Sequence, residues 1–466
     1  MIEFNRAAPG FAPMFLDAGA SWPVAYWLLL PFFGLLALIA TGPLFFPKFW
    51  TRWYASIAVG LGLLMLGYYG FVRHDWHTTV ETLAEYTSFV VLLTALYVTG
   101  GTMYLNINLE ATPRRNVLLL LAGAMLASVI GTTGASLVLI RPFIRLNDQR
   151  AKPYQIVFFI FLVSNAGGLL TPLGDPPLFI GYLRGVPFFW TAWHLLLPWL
   201  VATGALLLLF WLKDRRNPYP SRLSRNERRR ERQEKGLPLY DFNGAQNLPW
   251  LLLVLVSVFL DPARVSWVPA LHVFGLHLSF VREMLQLVAA WGCYRTADRK
   301  ALGANHFTFE PMHEVAFLFF GIFLTMMPAL QTAAAVASKP SVAGNLTPTA
   351  LYWLTGSLSA FLDNAPTYAS FLSLSMASHH LNINQDTDVQ AFALSYLTMP
   401  LLRAISSGAV LFGAFTYIGN GPNFLVRSIA EKEGVPMPSF FGYIVRYAIP
   451  YLLPVLLLIG WLLTLW

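Results

Sequence analysis

Long apolar stretches follow one another along the whole chain, with short polar or charged segments between them. Most are about 20 residues long, which is the length a helix needs to cross the hydrocarbon core of a bilayer. The pattern predicts an all-α polytopic membrane protein. Its apolar segments are predicted near 22–41, 54–72, 83–104, 116–145, 155–183, 188–212, 249–261, 281–294, 312–330, 349–378, 392–430 and 440–466.

Composition supports the membrane assignment. Of the 466 residues, 56% are hydrophobic and 12% are charged, whereas soluble domains carry about 25% charged residues. These values exclude a soluble globular enzyme and a disordered chain, and the single cysteine, Cys293, excludes a disulfide scaffold. The first residues lack the basic-then-apolar order of a cleavable signal peptide, so we expect the first span to anchor the protein.

Most of the net positive charge lies in one polar connector. Residues 213–235 contain ten Lys or Arg and four Asp or Glu, which accounts for +6 of the net +8. The positive-inside rule places such a connector in the cytoplasm, and contact with anionic lipids can accompany that placement. We therefore expect a multi-pass protein of a bacterial inner membrane that contacts the lipid bilayer, with 213–235 cytoplasmic and no nucleic-acid partner.

Two apolar segments are predicted to be re-entrant hairpins. Segment 116–145 has basic residues on both flanks, and its centre, Ile130–Ser136, reads IGTTGAS. Because both flanks favour the cytoplasm, the segment is expected to enter and leave on one side, which requires protein or a water-filled cavity around its tip. Segment 349–378, with the tip LDNAPT at Leu362–Thr367, is expected to do the same from the opposite side.

The chain is predicted to contain two inverted five-element repeats, each with a re-entrant hairpin and a discontinuous helix. This is a plan of secondary transporters. Glutamates spaced four apart open the second element of each repeat, and a T-x-x-G-[D/N]-x-P motif recurs at Thr171–Pro177 and Thr416–Pro422. The predicted parts are an external segment with the first span (1–53), the first repeat (54–212), the basic connector (213–248), an extra span with an external loop (249–280) and the second repeat (281–466).

Two helices are predicted to break near the middle of the membrane. The sequences SNAGGLLTPLGDPP and GAFTYIGNGPN cannot continue a regular helix, because an interior proline lacks an N–H group and costs about 3 kcal/mol. Unpaired backbone groups are not tolerated against lipid. The breaks are therefore expected to face a cavity, an ion or a substrate.

Oxygen-bearing side chains concentrate at the hairpin tips and the breaks, and we expect each break to combine with its own tip. Such shells suit Na⁺ or another hard cation, and carboxylates can carry a proton instead. No cofactor is expected, and the lack of soft ligands and paired histidines at the tips argues against a bound transition metal. The candidates are Thr132, Thr133, Ser136, Ser164, Asn165, Thr171 and Asp175 for one site, and Asp363, Asn364, Thr367, Thr416, Asn420 and Asn423 for the other.

The acidic candidates for proton coupling are Asp175, Asp363 and Glu314. Each also has a structural interpretation. Asp175 can cap a half-helix, Asp363 can be structural although intramembrane acids are usually functional, and Glu314 can be an interfacial residue. Asn420 and Asn423 can likewise serve only to satisfy the broken backbone.

Four segments carry a family resemblance. SNAGGLLTPLGDPP and FLDNAPT resemble signatures of the ion transporter superfamily, which includes NhaD-type sodium/proton antiporters, arsenite-pump membrane subunits, citrate–metal symporters and divalent-anion/sodium symporters. EPMHEVAFLFFGIFLTMMPAL and FGAFTYIGNGPNFLVRSIAE are similar to bacterial proteins labelled as citrate transporters or sodium:proton antiporters. The resemblance covers most of residues 54–466.

The resemblance implies two hairpins and two discontinuous helices around a central site, an elevator movement and a homodimer. It assigns the hairpin-tip role to Thr132–Ser136 and Asp363–Thr367, and the broken-helix role to Ser164–Pro177 and Thr416–Asn423. Carboxylate symporters of the superfamily carry Ser-Asn-Thr at both tips, and this chain does not. A buried Asp363 would also repel an anion, so the departure favours cation exchange.

The sequence therefore predicts a secondary active transporter that exchanges Na⁺ or Li⁺ for H⁺. One carboxylate that binds either ion couples the two by competition, and replacing Asp363 with Asn is expected to abolish exchange. The alternative is cation-coupled uptake of citrate or another organic anion, and arsenite efflux is a further option. An intramembrane enzyme is disfavoured because no H-E-x-x-H or G-x-S-x-G motif occurs.

Overall fold

The computed structural model describes residues 26–465 apart from 108, 110, 148–149, 218–229, 231–239, 261, 263–264, 266, 275, 306 and 338–345. The predicted external segment and most of the basic connector lie outside the described residues. Within the described part, eight helices are long and apolar enough to cross a membrane, or nine if one sharply bent pair forms a single span. The chain is a polytopic, mostly helical membrane protein, as predicted.

The described residues before the basic connector form seven α-helices. They are α1 (Leu30–Phe45), α2 (Pro47–Gly67), α3 (Trp76–Gly101), α4 (Pro113–Leu146), α5 (Pro153–Leu162), α6 (Pro176–Leu183) and α7 (Trp190–Asp214). A 3₁₀ turn at Tyr26–Leu29 precedes α1, a π-helical turn at Tyr68–Val72 continues α2, and a 3₁₀ segment at Ala166–Leu170 lies between α5 and α6.

The described residues after the connector form eleven further α-helices. They are α8 (Leu248–Ser257), α9 (Val281–Thr296), α10 (Arg299–Ala304), α11 (Glu310–Ala337), α12 (Pro348–Ser359), α13 (Asn364–Ala377), α14 (Asp386–Leu394), α15 (Met399–Phe412), α16 (Gly421–Lys432), α17 (Phe440–Tyr443) and α18 (Leu453–Thr464). Short 3₁₀ segments lie at Ala245–Asn247 and Gly413–Phe415, and a π-helix at Ile444–Leu452 joins α17 to α18.

Two departures from the predicted elements occur in this second half. The segment predicted near 392–430 begins instead with a separate helix, α14, because the chain bends by 96° between α14 and the helical run Met399–Phe415. The extended Ser395 ends α14, and Pro400 stands at the start of α15, where proline is tolerated. Helix α9 has 16 residues, which is short of the roughly 20 needed for a full span.

Two small antiparallel ribbons connect the helices and were not predicted. Strand β1 (Tyr104–Ile107) pairs with β2 (Tyr240–Asn243), and β3 (Leu271–Val273) pairs with β4 (Leu276–Leu278). The first ribbon joins the end of α3 to the end of the basic connector. Each strand has only three or four residues, too few for an alternating pattern to be visible in the sequence.

Residues 113–146 fold back on themselves, as the basic flanks predicted. Asn116 and Asn147 are 31 positions apart, yet their side-chain amides exchange two hydrogen bonds of 2.8 and 3.0 Å. A straight helix would hold these residues roughly 45 Å apart, at about 1.5 Å per residue. The reversal is at Gly131, which has φ +80° and ψ 154°, a conformation essentially restricted to glycine. The hairpin tip is therefore where the sequence placed it.

The second predicted hairpin and both predicted helix breaks are also present. Helices α12 and α13 are separated by residues 360–363 and pack against each other. Residues 163–175 interrupt the path from α5 to α6, and residues 413–420 interrupt the path from α15 to α16. Nearly all of α5 and α15 is buried, so the broken helices occupy the interior, where backbone groups can be satisfied by protein.

Candidate functional site

The two broken helices meet, and each satisfies polar groups of the other. Asn165 Nδ2 in the first break donates to Asn423 Oδ1 at the start of α16, at 2.7 Å. Asn420 Nδ2 in the second break donates to the Ser164 carbonyl oxygen and to Asn165 Oδ1, each at 3.2 Å. Asn423 Nδ2 in turn donates to the carbonyl oxygens of Gly413 and Thr416. Five sequence-predicted residues therefore lie in one buried network.

Asp175 lies at the centre of this network. Its side chain is in the first break and the residue is only 2% exposed. Its carboxylate accepts hydrogen bonds from Thr132 Oγ1 at 3.0 Å, from Asn420 Nδ2 at 3.0 Å and from Asn364 Nδ2 at 2.5 Å. The donors come from the first hairpin tip, the second break and the second hairpin tip. One carboxylate thus joins four separate segments of the chain.

The side chains of the two intramembrane aspartates have different hydrogen-bond partners. Asp175 stands at the N-cap position of α6 but makes no side-chain hydrogen bond to that helix. Asp363 stands at the N-cap position of α13, and its Oδ1 accepts from the Ala365 N–H at 3.0 Å. The capping interpretation therefore describes Asp363, which is half-buried, whereas the side chain of Asp175 points to the network.

The predicted division into two separate sites differs from the structure. Asn364 belongs to the second hairpin tip, yet its amide donates to Asp175 in the first break. Asn420 belongs to the second break, and it donates to the same carboxylate. The two predicted sets therefore form one polar cluster, which we call the Asp175 cluster and define by Thr132, Ser164, Asn165, Asp175, Asn364, Asn420 and Asn423.

Each break is also bonded to the first arm of its own hairpin. Thr171 Oγ1 donates to the Ser128 carbonyl oxygen, and Thr416 Oγ1 donates to the Ala360 carbonyl oxygen at 2.6 Å. In both halves a serine of the hairpin also bonds to the broken helix. Ser128 Oγ donates to the Gly167 carbonyl oxygen in the first break at 2.5 Å, and Ser359 Oγ donates to the Ala409 carbonyl oxygen in α15 at 2.6 Å. Sequence reasoning missed Ser128 and Ser359, although each precedes its tip by only a few residues.

The remaining predicted residues are more peripheral. Ser136 Oγ and Ser164 Oγ are 2.8 Å apart, so the second arm of the first hairpin contacts the break. Thr367 bonds within its own helix, to the Asp363 carbonyl oxygen. Thr133 is half-buried, and its hydroxyl forms no hydrogen bond within the described part of the chain. Glu314 is exposed near the start of α11, and no described contact joins it to the Asp175 cluster.

Close backbone packing makes the cluster compact. The Thr132 N–H donates to the Gly174 carbonyl oxygen at 2.8 Å, which fixes the hairpin tip against the break. A Cβ atom added to Gly168 would lie 2.8 Å from Thr132 Cγ2 and 2.9 Å from Asp175 Cβ. Such distances are shorter than real Cβ contacts, so only glycine allows Thr132 and Asp175 to approach as they do.

The basic side chains of Arg184 and Arg141 form their ion pairs outside the cluster. Arg184, just after α6, pairs with Glu85 of α3 at 2.8 Å and donates to Asn384 Oδ1 at 2.7 Å. Arg141 in the first hairpin lies 3.5 Å from Glu433, just after α16. Within the described residues, no Lys or Arg side chain bonds to the Asp175 carboxylate.

Comparison with known proteins places this architecture in a family. The family model described as "Putative citrate transport" matches residues 21–464 of the chain. The chain belongs to this transporter family. The P protein of Mus musculus is similar, with 25% identity over 426 residues, and the match covers 76% of this chain and 50% of the P protein. The chain thus spans about half the length of that curated relative.

Membership in the citrate transport family supports a transporter rather than an enzyme, in agreement with the sequence analysis. The part of the chain that matches the family model includes both hairpins and both broken helices. The Asp175 cluster therefore lies inside the part of the chain that the family shares. The family description names citrate, which is an anion, whereas the cluster is built around the carboxylate of Asp175. Which ion or anion the site binds is therefore a question that the site's own chemistry has to answer.

Proposed function

We propose that the protein is a secondary active transporter that exchanges Na⁺ or Li⁺ for H⁺, and that Asp175 binds either ion. The observation that carries the proposal is the environment of the Asp175 carboxylate. It is buried, it is bonded to neutral hydroxyl and amide groups from three other segments, and no basic side chain of the described residues bonds to it. Intramembrane carboxylates of this kind serve as ion and proton sites in transporters.

The oxygen atoms around Asp175 support a hard cation. Thr132 Oγ1 lies 3.0 Å from Asp175 Oδ1, and a hydroxyl can donate to a carboxylate or coordinate a cation through its oxygen. Asn364 Oδ1 is buried and has no hydrogen-bond partner in the described part of the chain. A half-turn of this amide would direct its oxygen to a cation held by Asp175, which satisfies an acceptor that is otherwise costly to bury.

Competition at one carboxylate supplies the coupling. Asp175 cannot hold Na⁺ and a proton on the same oxygen atoms, so each ion displaces the other. With Na⁺ bound, the hydroxyl of Thr132 and the amide of Asn364 present oxygens; with a proton bound, the same groups accept from the carboxyl or donate to it. This coupling requires no charged group other than Asp175 and the transported ions.

Alternating access is proposed to use the two inverted repeats, moving together in an elevator movement. Similar bonds in both halves support this: Thr171 and Thr416 each bond a break to its own hairpin. Ser128 also bonds to the first break at Gly167, and Ser359 bonds to Ala409 of α15. The cross-contacts of Asn364 and Asn420 with Asp175 bind the two halves to each other. Hairpins and broken helices would therefore move as one body.

The second candidate is cation-coupled uptake of citrate or a related organic anion, and the family description favours it. A citrate anion would need positive charge or many donors at the site. The described residues offer the amides of Asn165, Asn420 and Asn423, but these are already bonded to one another, to Asp175 or to the backbone. The cluster therefore favours the cation as the bound species.

Proteoliposomes that enclose a pH-sensitive dye test the proposal. A pH gradient is imposed, and Na⁺, Li⁺, K⁺ or choline chloride is added, with citrate added in a parallel series. We expect Na⁺ and Li⁺ to move protons in the absence of citrate, and choline to have no effect. If no cation causes proton movement and labelled citrate uptake needs Na⁺ or H⁺, the citrate alternative would replace the antiporter proposal.

A further inference from the structure

A basic cavity lies apart from the Asp175 cluster, at the end of the membrane helices where α5 begins and α7 ends. Its volume is about 580 Å³. Lys152, Lys213 and Arg216 supply positive charge to its wall, and Tyr154 and Tyr451 supply aromatic surface. We call it the basic pocket. No residue of the Asp175 cluster lines it, so it is not part of the proposed ion path.

The positive charge of the basic pocket is held in place and is not neutralised. Lys213 Nζ donates to Tyr451 Oη at 2.7 Å and lies 4.9 Å from the ring centre of Tyr451 and 5.5 Å from that of Tyr154. An ammonium group has three donors, so two remain for a ligand. Within the described residues, neither Lys152, Lys213 nor Arg216 forms an ion pair.

The nearest carboxylate does not cancel this charge. Asp214 follows Lys213 directly, but it is fully buried and its oxygens accept from Arg150 at 2.9 Å and from Tyr154 at 2.6 Å. Its negative charge is thus compensated inside the protein by Arg150. Among the residues that the structure describes, no acidic side chain lines the pocket itself. The pocket is therefore suited to an anion with several oxygen acceptors.

Apolar side chains form another part of the wall, which also includes the polar Asn217. Leu209 and Leu212, on the last turns of α7, line the pocket beside the basic groups. Val445 and Ile449 are exposed on the neighbouring π-helix that carries Tyr451. A soluble anion such as free phosphate gains nothing from contact with apolar side chains. A phospholipid has an anionic phosphate directly next to its acyl chains, and basic pockets between membrane helices recognise such headgroups.

We propose that the basic pocket binds the phosphate of an anionic phospholipid, with the acyl chains lying along Leu209 and Leu212. Lys213 and Arg216 contact the phosphate, and Tyr451 holds Lys213 in position for it. This site does not depend on which ion or anion the protein transports. It joins the first broken helix, through α5, to the last membrane helix, through Tyr451.

Native mass spectrometry of the delipidated full-length protein tests the proposal by titration with phosphatidylglycerol or phosphatidylcholine. We expect phosphatidylglycerol to bind at least about tenfold more tightly, because each basic residue near a bilayer surface attracts anionic lipid. The double variant Lys213→Gln/Arg216→Gln should lose this preference, and Lys213→Arg should keep it. If the double variant is unstable, the exposed substitution Arg216→Gln alone should reduce the preference.

A matched control removes the same charge elsewhere. Lys48 and Arg52 line a second cavity near the start of α2, together with Pro47 and Thr51, and no tyrosine of the described part of the chain lines it. Lys48→Gln/Arg52→Gln should retain the preference of the wild type. Equal binding of both lipids by the wild type, an equal loss in both double variants, or displacement of phosphatidylglycerol by inorganic phosphate or citrate at comparable concentrations would overturn the proposal.

Discussion

At the residue scale, function is expected to depend on which of two aspartates faces the interior network. Both precede a half-helix, and both are followed within three residues by proline. Only Asp175 accepts bonds from three other segments, while Asp363 accepts from the backbone of its own helix. From the sequence alone, Asp363 is at least as strong a candidate as Asp175, because neighbouring residues do not reveal where the side chain of a residue before a helix points.

Replacing each aspartate with asparagine separates their roles. Asp175→Asn removes the charge that binds the cation and the group that binds the proton, so we expect Na⁺-driven proton movement to disappear. Asp363→Asn should keep activity close to wild type, because asparagine caps a helix as well as aspartate does. Transport is measured in proteoliposomes containing equal amounts of folded protein. The reverse order of sensitivity would place the ion site at the second hairpin tip.

Thr132 provides a finer test with a neighbouring control. Its hydroxyl donates to Asp175, and bonds to charged groups contribute about 1.5–3 kcal/mol. Thr132→Val is therefore expected to raise the Na⁺ concentration for half-maximal exchange by about tenfold or more. Thr133→Val, on the same tip but outside the network, should change it little. Equal effects of the two substitutions on the Na⁺ dependence would contradict the assigned contact.

At the element scale, the first hairpin depends on one glycine and one buried polar network. Gly131 makes the reversal, and the amides of Asn116 and Asn147 close the other end. Asn116 also donates to Asp214 at the end of α7, which accepts from Arg150, Tyr154 and Gln155 as well. The ends of the hairpin, α5 and α7 are thus fixed to one another by Asp214.

The tip of the hairpin should not tolerate a side chain. Gly131→Ala places a Cβ atom 3.3 Å from the Leu173 carbonyl oxygen in a backbone conformation that costs other residues about 1–3 kcal/mol. We expect a lower unfolding temperature and slower exchange. Gly134→Ala is the control, since its Cβ would meet ordinary contacts of 3.5 Å or more. Thermal unfolding in detergent distinguishes them, and equal stability of the two variants would argue against the strained tip.

The stability of the protein should depend more strongly on the polar network at the other end of the hairpin than on a surface ion pair. Asp214→Leu leaves the buried Arg150 without its carboxylate, and breaking such a pair costs about 3–5 kcal/mol. Glu431→Gln breaks the more exposed pair with Arg427, whose nitrogen–oxygen distance is 3.0 Å, at a cost of about 0–1 kcal/mol. We expect a large drop in unfolding temperature for the first variant and a small one for the second; similar drops would contradict the role of Asp214.

The same elements show what the sequence can and cannot predict. Basic residues on both flanks of one apolar segment predicted the first hairpin, and Gly and Pro within apolar runs predicted both breaks. The contact of Asn364 with Asp175 was not predictable, because spacing along the chain does not tell which tip approaches which break. The bend after α14 depends on the four residues 395–398, which carry no strong breaker until Pro400.

At the scale of the whole molecule, one buried carboxylate cluster is surrounded by helices that expose apolar side chains. The broken helices and hairpins supply every residue of the cluster, while α1, α2 and α18 present exposed Leu, Phe or Trp side chains. A movable centre inside a surrounding frame is the arrangement that an elevator movement requires. Family membership supports a transporter, and the cluster is the basis for proposing a cation as the bound species.

The most direct measurement is Na⁺ binding to the purified protein by titration calorimetry, repeated in two buffers with different ionisation enthalpies. The difference between the buffers gives the protons released on binding. We expect the wild-type protein to bind Na⁺ with release of a proton. We expect Asp175→Asn to bind Na⁺ much more weakly and to release no proton. Unchanged Na⁺ binding and proton release in Asp175→Asn, or binding of citrate without any Na⁺ response, would contradict these expectations.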